Sequence, residues 1–216
     1  MKKIALTTFL FITICGNIFS QTGRKLNESE KQEFEQKIIE HSGKIQTLQC
    51  SFVQEKTSTL VTEKTIAKGI LLYQSPNMLR WEYTEPKPST LILNGNNAVL
   101  LNKDGKRMGN ERMLKQLGGI IISMINGEGI RQNKQFSSEI FDAGNKEIRI
   151  ILTPIQKRLK DFYSNIELKI DPATLLANKI ILNEKSGDNT VILLANKELN
   201  KEIPLSKFAI NKDGKE

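Results

Sequence analysis

The sequence predicts a mainly β fold, in which about ten strands form an antiparallel meander with a few helices. Ten short runs of strand-like residues follow one another along the chain. The connections within each group of runs are too short for crossover helices, so neighbouring strands are expected to be antiparallel. Two longer segments instead have apolar residues at helical spacing. No repeat or low-complexity linker divides the chain, so we expect one domain over residues 21–210.

The strands are expected in two series separated by turn signals such as Asn94-Gly95, Asp104-Gly105, Gly144-Asn145, Asp171-Pro172 and Gly187-Asp188. The first series is Gln49–Lys56, Ile66–Tyr73, Met78–Tyr83, Thr90–Asn94 and Ala98–Asn102. The second series is Phe136–Asp142, Glu147–Thr153, Phe162–Asp171, Leu175–Asn183 and Thr190–Glu198.

The third run alternates most regularly. Leu79, Trp81 and Tyr83 point to one side of the predicted strand, and Arg80, Glu82 and Thr84 point to the other. The polar side can meet water, so the aromatic side must be covered. This aromatic side of the strand faces either the protein's own core or a bound ligand.

The first helix is expected to start near Ser29, which with Gln32 fits a capping box. Its apolar stripe is Phe34, Ile38 and His41, continued by Ile45 and Leu48. Gly43 is expected to end or bend this helix. One apolar stripe means that the helix lies on a larger surface.

The second helix is expected over Glu111–Ile125, between the two strand series. Gly118-Gly119 cost a helix about 2 kcal/mol relative to alanine, so a break or hinge is expected there. The half from Gly119 onward is apolar nearly all round and must be covered. It fits a cap over the concave side of the sheet, although a plain core helix has the same pattern.

Residues 1–20 are predicted to be an export signal. Lys2 and Lys3 precede an apolar run, Ile4–Cys15, that is too short to span a bilayer, and cleavage is expected after Ser20. A lipidated Cys15 is the alternative, disfavoured because Ile14 precedes it where a small residue is preferred. The tail at 211–216 is expected to be frayed.

Charge and composition exclude several classes of function. The formal net charge is +8, or +6 without the predicted signal, and it is spread along the chain rather than concentrated as nucleic-acid binding requires. The only histidine is His41, and Cys50 is the one cysteine left after cleavage, so the usual zinc ligand sets are absent. We find no nucleophile elbow and no phosphate-binding loop. A Cys50–His41 pair is conceivable as nucleophile and base, but a buried cysteine and a half-buried histidine are the plainer interpretation. We therefore expect no enzyme, cofactor or metal.

The segment up to the second helix resembles the LolA-type periplasmic lipoprotein carriers of Gram-negative bacteria. The matching residues are Phe52-Val53-Gln54, Gly69, the block Pro76-Asn77-Met78-Leu79-Arg80-Trp81-Glu82-Tyr83, Pro86 and Asn94-Gly95. Their order and spacing are similar over about residues 28–125. Beyond that, the similarity is in strand rhythm and length.

The resemblance implies an incomplete antiparallel β-barrel of about ten to eleven strands, with helices capping its open concave side. It implies a periplasmic carrier, expected to be a monomer, that binds the acyl chains of lipoproteins in an apolar cavity. The carrier would receive its cargo from an inner-membrane donor complex and pass it to an outer-membrane acceptor. Alternatives are a carrier of another lipid or acylated amphiphile and a non-carrying envelope sensor or adaptor.

On this interpretation the expected acyl-binding residues lie on the concave strands and on the lid helix, although ordinary core packing has the same pattern. They are Leu71, Tyr73, Leu79, Trp81, Tyr83, Leu91, Leu93, Leu117, Ile120, Ile121, Met124 and Ile125. One position departs from the family. Many members have a basic residue before the motif proline, where it bonds the lid, and here that residue is Ser75. The latch or the cargo is therefore expected to differ.

Overall fold

The computed structural model describes residues 23–130, 135–144 and 147–210, without the side chains of Thr62, Met113, Gln116 and Leu117. The predicted signal peptide, the turn residue Asn145 and the tail at 211–216 lie outside these ranges. The helices within them are all too short or too polar to cross a membrane.

The described residues form one antiparallel sheet of twelve strands. The strands are β1 (Arg24–Lys25), β2 (Thr47–Ser58), β3 (Val61–Gln74), β4 (Met78–Glu85), β5 (Ser89–Asn94), β6 (Asn97–Asn102), β7 (Arg107–Met108), β8 (Phe136–Asp142), β9 (Ile148–Pro154), β10 (Tyr163–Asp171), β11 (Leu176–Glu184) and β12 (Asn189–Leu199). All ten predicted strands are present. The additional β1 and β7 are edge strands of two residues each, too short to show a periodicity.

The two strand series join through one long-range pairing. The spatial order is β1-β8-β9-β10-β11-β12-β2-β3-β4-β5-β6-β7, so the last strand of the second series lies beside the first strand of the first series. Phe52 of β2 stands opposite Leu194 of β12. The end strands β1 and β7 do not pair with each other. The sheet is therefore open, an incomplete barrel as predicted.

Helix α1 (Glu28–Ser42) begins slightly earlier than predicted. Asn27 is the N-cap, and its Oδ1 accepts a hydrogen bond from Glu30 N at 3.0 Å while Glu30 Oε2 accepts one from Asn27 N at 2.8 Å. The predicted Ser29–Gln32 capping box is therefore wrong, because Asn27 with Glu30 satisfies the same geometry two residues upstream. Gly43 ends the helix as expected, and Leu48 of the predicted stripe lies in β2.

Helix α2 (Glu111–Ile125) has the predicted bounds but no break at Gly118-Gly119. The helix is continuous because Gly118 is a packing position: a Cβ added there would overlap the Leu93 side chain of β5. The close approach of helix and sheet compensates for the poor helix propensity of glycine. The expected hinge is therefore wrong.

The C-terminal segment corrects the prediction for the polar side of β4. After a short helix α3 (Lys157–Phe162) and the last strands, a 3-10 turn at Leu205–Phe208 packs on the convex side of the sheet. Phe208 is fully buried there with Leu72 and Ile203. Arg80, expected to meet water, is 7% exposed and donates from Nε to Glu82 Oε2 at 2.7 Å. The alternation of β4 was predicted correctly, but the C-terminal segment covers the face of the sheet on which Arg80 lies.

Candidate functional site

The concave side of the sheet encloses an apolar hollow with two compartments. The large compartment has a volume of about 370 Å³ and lies between α2 and the strands β4–β6 and β10–β12. The small compartment has a volume of about 60 Å³ and lies under α1 and the end of α2. The large one alone is within the usual range for a small-molecule site.

Four side chains line both compartments, namely Trp81, Ile121, Met124 and Ile180. We call them the partition. Trp81 is buried within the sheet, whereas Ile121 and Met124 belong to α2 and are only partly buried. Methionine has three flexible torsions and repacks easily. The division between the compartments therefore depends on side chains able to move.

The structure distributes the predicted acyl-binding residues unevenly. Three of them belong to the partition, three line only the large compartment and two line only the small one. The residues that line only the large compartment are Tyr83, Leu91 and Ile120, and those that line only the small one are Leu71 and Ile125. Tyr73, Leu79 and Leu93 line neither compartment and are packed in the core beneath it. Leu117 lies in α2, and its side chain is outside the described part of the structure.

An aromatic cluster forms the floor of the hollow. Phe52 lies 4.4 Å from Trp81 and 5.3 Å from Tyr83 between ring centroids, the latter pair edge-to-face. Gly69 permits this arrangement, because a Cβ there would overlap the Phe52 ring. The Tyr83 hydroxyl donates to Gln54 Oε1 at 2.9 Å, and burial raises the pKa of Tyr83.

The indole nitrogen of Trp81 has no well-aligned hydrogen bond. It lies near enough to the Tyr83 hydroxyl to lower the Tyr83 pKa, against the larger effect of burial, but the geometry is poor. A buried N–H left in this state costs about 1–3 kcal/mol. An acceptor entering the hollow beside Trp81 would relieve that cost.

One end of the large compartment is polar. Lys56 Nζ lies 3.0 Å from Glu184 Oε1 and 3.7 Å from Asp188 Oδ2, and Tyr163 is close by. Burial and the negative Glu184 raise the pKa of Tyr163. Lys56 and Glu184 are 41% and 27% exposed, so this polar rim reaches solvent.

At its other end the hollow adjoins a recess on the surface, and we call the residues shared by the two the neck. His41, Leu176 and Lys197 line both the small compartment and a surface recess. Lys197 Nζ donates to Asn178 Oδ1 at 2.6 Å and to the Leu194 carbonyl at 3.2 Å. Burial lowers the Lys197 pKa. Nε2 of His41 is buried and has no hydrogen-bond partner among the described residues.

Cys50 and His41 both line the small compartment, as the nucleophile–base interpretation would need. Burial, however, raises the pKa of the Cys50 thiol to about 11, so the reactive thiolate is scarce at neutral pH. Cys50 is 1% exposed. In the described residues, His, Cys, Asp and Glu side chains nowhere gather in the threes that a metal ion would need.

The exit of α2 is tied to α1 by Ser42. Its Oγ lies 2.7 Å from the Ile38 carbonyl of its own helix and 2.8 Å from the Asn126 carbonyl just after α2. Gly127 follows with φ 77°, and a Cβ there would press on Ser42. Ser75, at the position of the basic residue in many carriers, instead interacts with the Tyr73 hydroxyl. In the described part of the chain, Ser42 is thus one contact to the end of α2, in addition to the packing of Gly118 on Leu93.

Sequence reasoning missed most of the lining. The C-terminal strands contribute an inward series that consists of Ile166, Leu168, Ile170, Ile180, Leu182, Ile192 and Leu194. Ile166, Leu168 and Ile170 alternate with polar residues, so the period-two signal was present. Among the polar residues of the neck, His41 lies on the predicted stripe of the first helix, whereas Lys197 carries no such signal because its position depends on strand pairing.

Comparison with known proteins agrees with this architecture. The family described as outer membrane lipoprotein carrier protein LolA matches residues 43–211. No curated protein sequence matches the chain.

Among solved structures, an uncharacterized conserved protein from Thermus thermophilus is similar in fold. It has a TM-score of 0.53 and 8% identity, and the alignment covers 86% of this chain and 96% of that one. MucB has a TM-score of 0.51 and 11% identity, over 86% of this chain and 64% of that one. A LolA superfamily protein from Nitrosomonas europaea has a TM-score of 0.44 and 13% identity, over 82% of this chain and 97% of that one.

Proposed function

The chain belongs to the LolA family of outer membrane lipoprotein carrier proteins, and from that premise we propose that its hollow binds the acyl chains of lipoproteins for transfer between the two membranes of the cell envelope. The transfer takes place in the periplasm after removal of residues 1–20. An inner-membrane complex donates the cargo and an outer-membrane protein accepts it. The carrier itself performs no covalent chemistry.

The large compartment is the observation that supports this proposal. Most of its lining is apolar, and it is bounded on one side by a helix whose inner residues Ile121 and Met124 are only partly buried. A core helix that served packing alone would be expected to bury such residues fully and leave no volume of this size. A ligand-sized apolar cavity suits a guest that is itself apolar.

The energetics of transfer explain why a carrier is needed. Moving an acyl chain into water costs about 0.8 kcal/mol per methylene, or roughly 12 kcal/mol for sixteen carbons. The apolar hollow offsets that cost. Chains longer than the large compartment can extend into the small one when Met124 and Ile121 of the partition move aside.

Trp81 provides a direct test because it is the only tryptophan in the chain and lines both compartments. Bromine atoms on an acyl chain quench tryptophan fluorescence on contact. We expect a synthetic diacyl lipopeptide with brominated chains to quench Trp81 saturably, and its unbrominated analogue to compete. Lipoprotein peptides or acyl species that co-purify with the mature chain should be identifiable by mass spectrometry.

The matched variants are Ile121→Glu and Leu193→Glu. Ile121 faces the hollow, whereas Leu193 is 48% exposed on the convex side, opposite Lys179. Ile121→Glu should abolish quenching and leave a folded protein by circular dichroism, while Leu193→Glu should bind normally. Quenching that is absent in the unaltered chain would contradict the proposal and favour a sensor or adaptor that packs its own core. Quenching that survives in Ile121→Glu would mean that the acyl chains bind beside Trp81 but not under α2.

Carriage of another amphiphile is the second candidate, and the neck favours it. The acyl chains of a lipoprotein are attached to a peptide and not to a compact charged head group. The positively charged Lys197 at the mouth of the small compartment would suit such a head group better. The same competition assay separates the two candidates. If a free lipid binds more tightly than the lipopeptide and displaces it, that lipid is the better ligand.

A further inference from the structure

We propose that the neck binds the anionic head group, a carboxylate or a phosphate, of a single-chain amphiphile whose tail enters the small compartment. The inference rests on the proposed function in one respect, namely that the hollow accepts acyl chains. It adds a polar site that the apolar cavity does not require. Its ligand class is a long-chain fatty acid or a lysophospholipid.

Lys197 reaches the neck because of a β-bulge. Ala195 stands opposite Ser51, but Glu198 rather than Lys197 stands opposite Gln49. One extra residue is thus inserted in β12, and Asn196 adopts a φ of 53° that non-glycine residues seldom take. Without the bulge, strand parity would turn Lys197 to the convex face. The strained backbone at Asn196 therefore turns the Lys197 side chain to the concave side, at the border between the small compartment and the recess.

The ammonium group of Lys197 still has capacity for a ligand. Two of its three hydrogens are used by Asn178 Oδ1 and the Leu194 carbonyl, both neutral acceptors. It forms no ion pair with the described residues. The carboxylate of Asp171 also lines the recess and acts on Lys197 only at longer range, while its Oδ1 accepts from Ala173 N at 2.8 Å. A partly buried cation without a close counterion suits an anionic ligand.

His41 adds a second polar group to the lining of the neck. It lies in the last turn of α1, and its Nε2 is inaccessible and without a hydrogen-bond partner among the described residues. Rotation of the imidazole toward the recess would bring Nε2 to a ligand oxygen without breaking an existing hydrogen bond to the described residues. The imidazole and the ammonium group therefore face the same recess from a helix and from a strand.

The path behind the neck suits a single tail. The small compartment of about 60 Å³ lies behind His41 and Lys197 and adjoins the large compartment at the partition. It is too small for two chains side by side. A tail that passes Trp81 and Met124 reaches the large compartment, so a long chain can lie along the whole hollow with its head at Lys197.

The test compares ligands with one tail and different heads. Palmitate, palmitoyl lysophosphatidic acid and neutral monopalmitoylglycerol are titrated below their critical micelle concentrations against the brominated acyl probe, with Trp81 fluorescence as the readout. We expect palmitate, palmitoyl lysophosphatidic acid or both to bind at least about tenfold more tightly than monopalmitoylglycerol. The palmitate and lysophosphatidic acid arms decide between a carboxylate and a phosphate head.

Lys197→Met keeps the aliphatic stem and removes the charge. We expect it to reduce the preference for an anionic head to less than about twofold while binding of the neutral lipid is unchanged. Lys44→Met is the matched control, because Lys44 is exposed close to the end of α1 and its loss changes the net charge equally. His41→Phe, which retains a ring, should reduce the preference in part and serves if Lys197→Met does not fold.

Equal affinity for anionic and neutral lipids in the unaltered chain would overturn this inference and leave the proposed function intact. So would an equal loss for all three lipids in Lys197→Met. Failure of every lipid to bind would instead contradict the acyl-chain hollow itself. An effect of Lys44→Met as large as that of Lys197→Met would assign the preference to net charge and would also overturn the inference.

Discussion

The paired glycines of α2 show how a single residue can mislead sequence reasoning. Gly118 and Gly119 have the same low helix propensity, and both were expected to break the helix. In the structure they differ completely. A Cβ at Gly118 would overlap Leu93, whereas a Cβ at Gly119 would have nothing within 4 Å. Gly118 allows close packing on the sheet, and Gly119 faces open space.

We therefore expect opposite effects from the two alanine substitutions. Gly118→Ala should lower the free energy of unfolding by about 1–3 kcal/mol, because the added methyl group forces α2 away from β5. Gly119→Ala should raise it by up to about 1 kcal/mol, because alanine favours the helix. Urea unfolding of the two variants and the unaltered chain measures both. Equal changes of the same sign would mean that Gly118 does not pack as described.

Trp81 and Cys50 illustrate the limits of an apolar pattern. Trp81 was expected on the concave face and lies in the partition, but its neighbours Leu79 and Leu93 pack into the core. Cys50 was expected to be a buried small residue, and it is 1% exposed beside the small compartment. The residue pattern gives the face of a strand and does not tell a cavity wall from a filled interior.

At the scale of elements, the two helices act on the hollow together. α2 carries two of the four partition residues and α1 carries the histidine of the neck. Ser42, the last residue of α1, holds the carbonyl of Asn126 after α2 at 2.8 Å. Because α2 is continuous, it is expected to move as one rigid body that swings when this contact opens.

Ser42→Ala is expected to favour the open position of α2. The single hydroxyl hydrogen is shared between the Ile38 and Asn126 carbonyls, so the contact to Asn126 contributes up to about 1 kcal/mol. Its loss should raise the opening equilibrium by up to about fivefold. Hydrogen exchange of the α2 amides, followed by mass spectrometry, measures this. Ser123→Ala is the control, because the Ser123 hydroxyl donates to the Ile120 carbonyl within the same helix at 2.8 Å. Equal protection of α2 in all three proteins would show that Ser42 does not hold the lid.

At the scale of the whole molecule, the sheet has two covered faces. The concave face carries the helices and the hollow, while the C-terminal segment covers part of the convex face with Phe208, Ile203 and Ile210. Asn94 Nδ2 donates to the Phe208 carbonyl at 3.1 Å and fixes the segment to β5. The two small clusters on the convex face therefore add stability at a distance from the hollow.

Phe208→Ala should therefore destabilise the fold without changing the hollow. We expect the free energy of unfolding to fall by about 3–5 kcal/mol, as is usual for a fully buried phenylalanine. Leu205→Ala, at a residue 62% exposed in the same turn, should change it by less than about 0.5 kcal/mol. Under conditions where both variants are folded, quenching of Trp81 by the acyl probe should be unchanged. A selective loss of quenching in Phe208→Ala would mean that the two faces are coupled.

Much of this architecture follows from the order of residues alone. Period-two alternation and turn residues are local signals, and they sufficed for all ten longer strands, for the bounds of α2 and for the side of the sheet on which Trp81 lies. The tertiary structure decided which strands meet across the chain, as when β12 pairs with β2 and its bulge directs Lys197 inward. It also decided that Arg80 is buried and that the hollow has two compartments. These features depend on contacts between residues far apart in sequence and on the curvature of the sheet. Neither can be predicted from the local periodicity of the sequence.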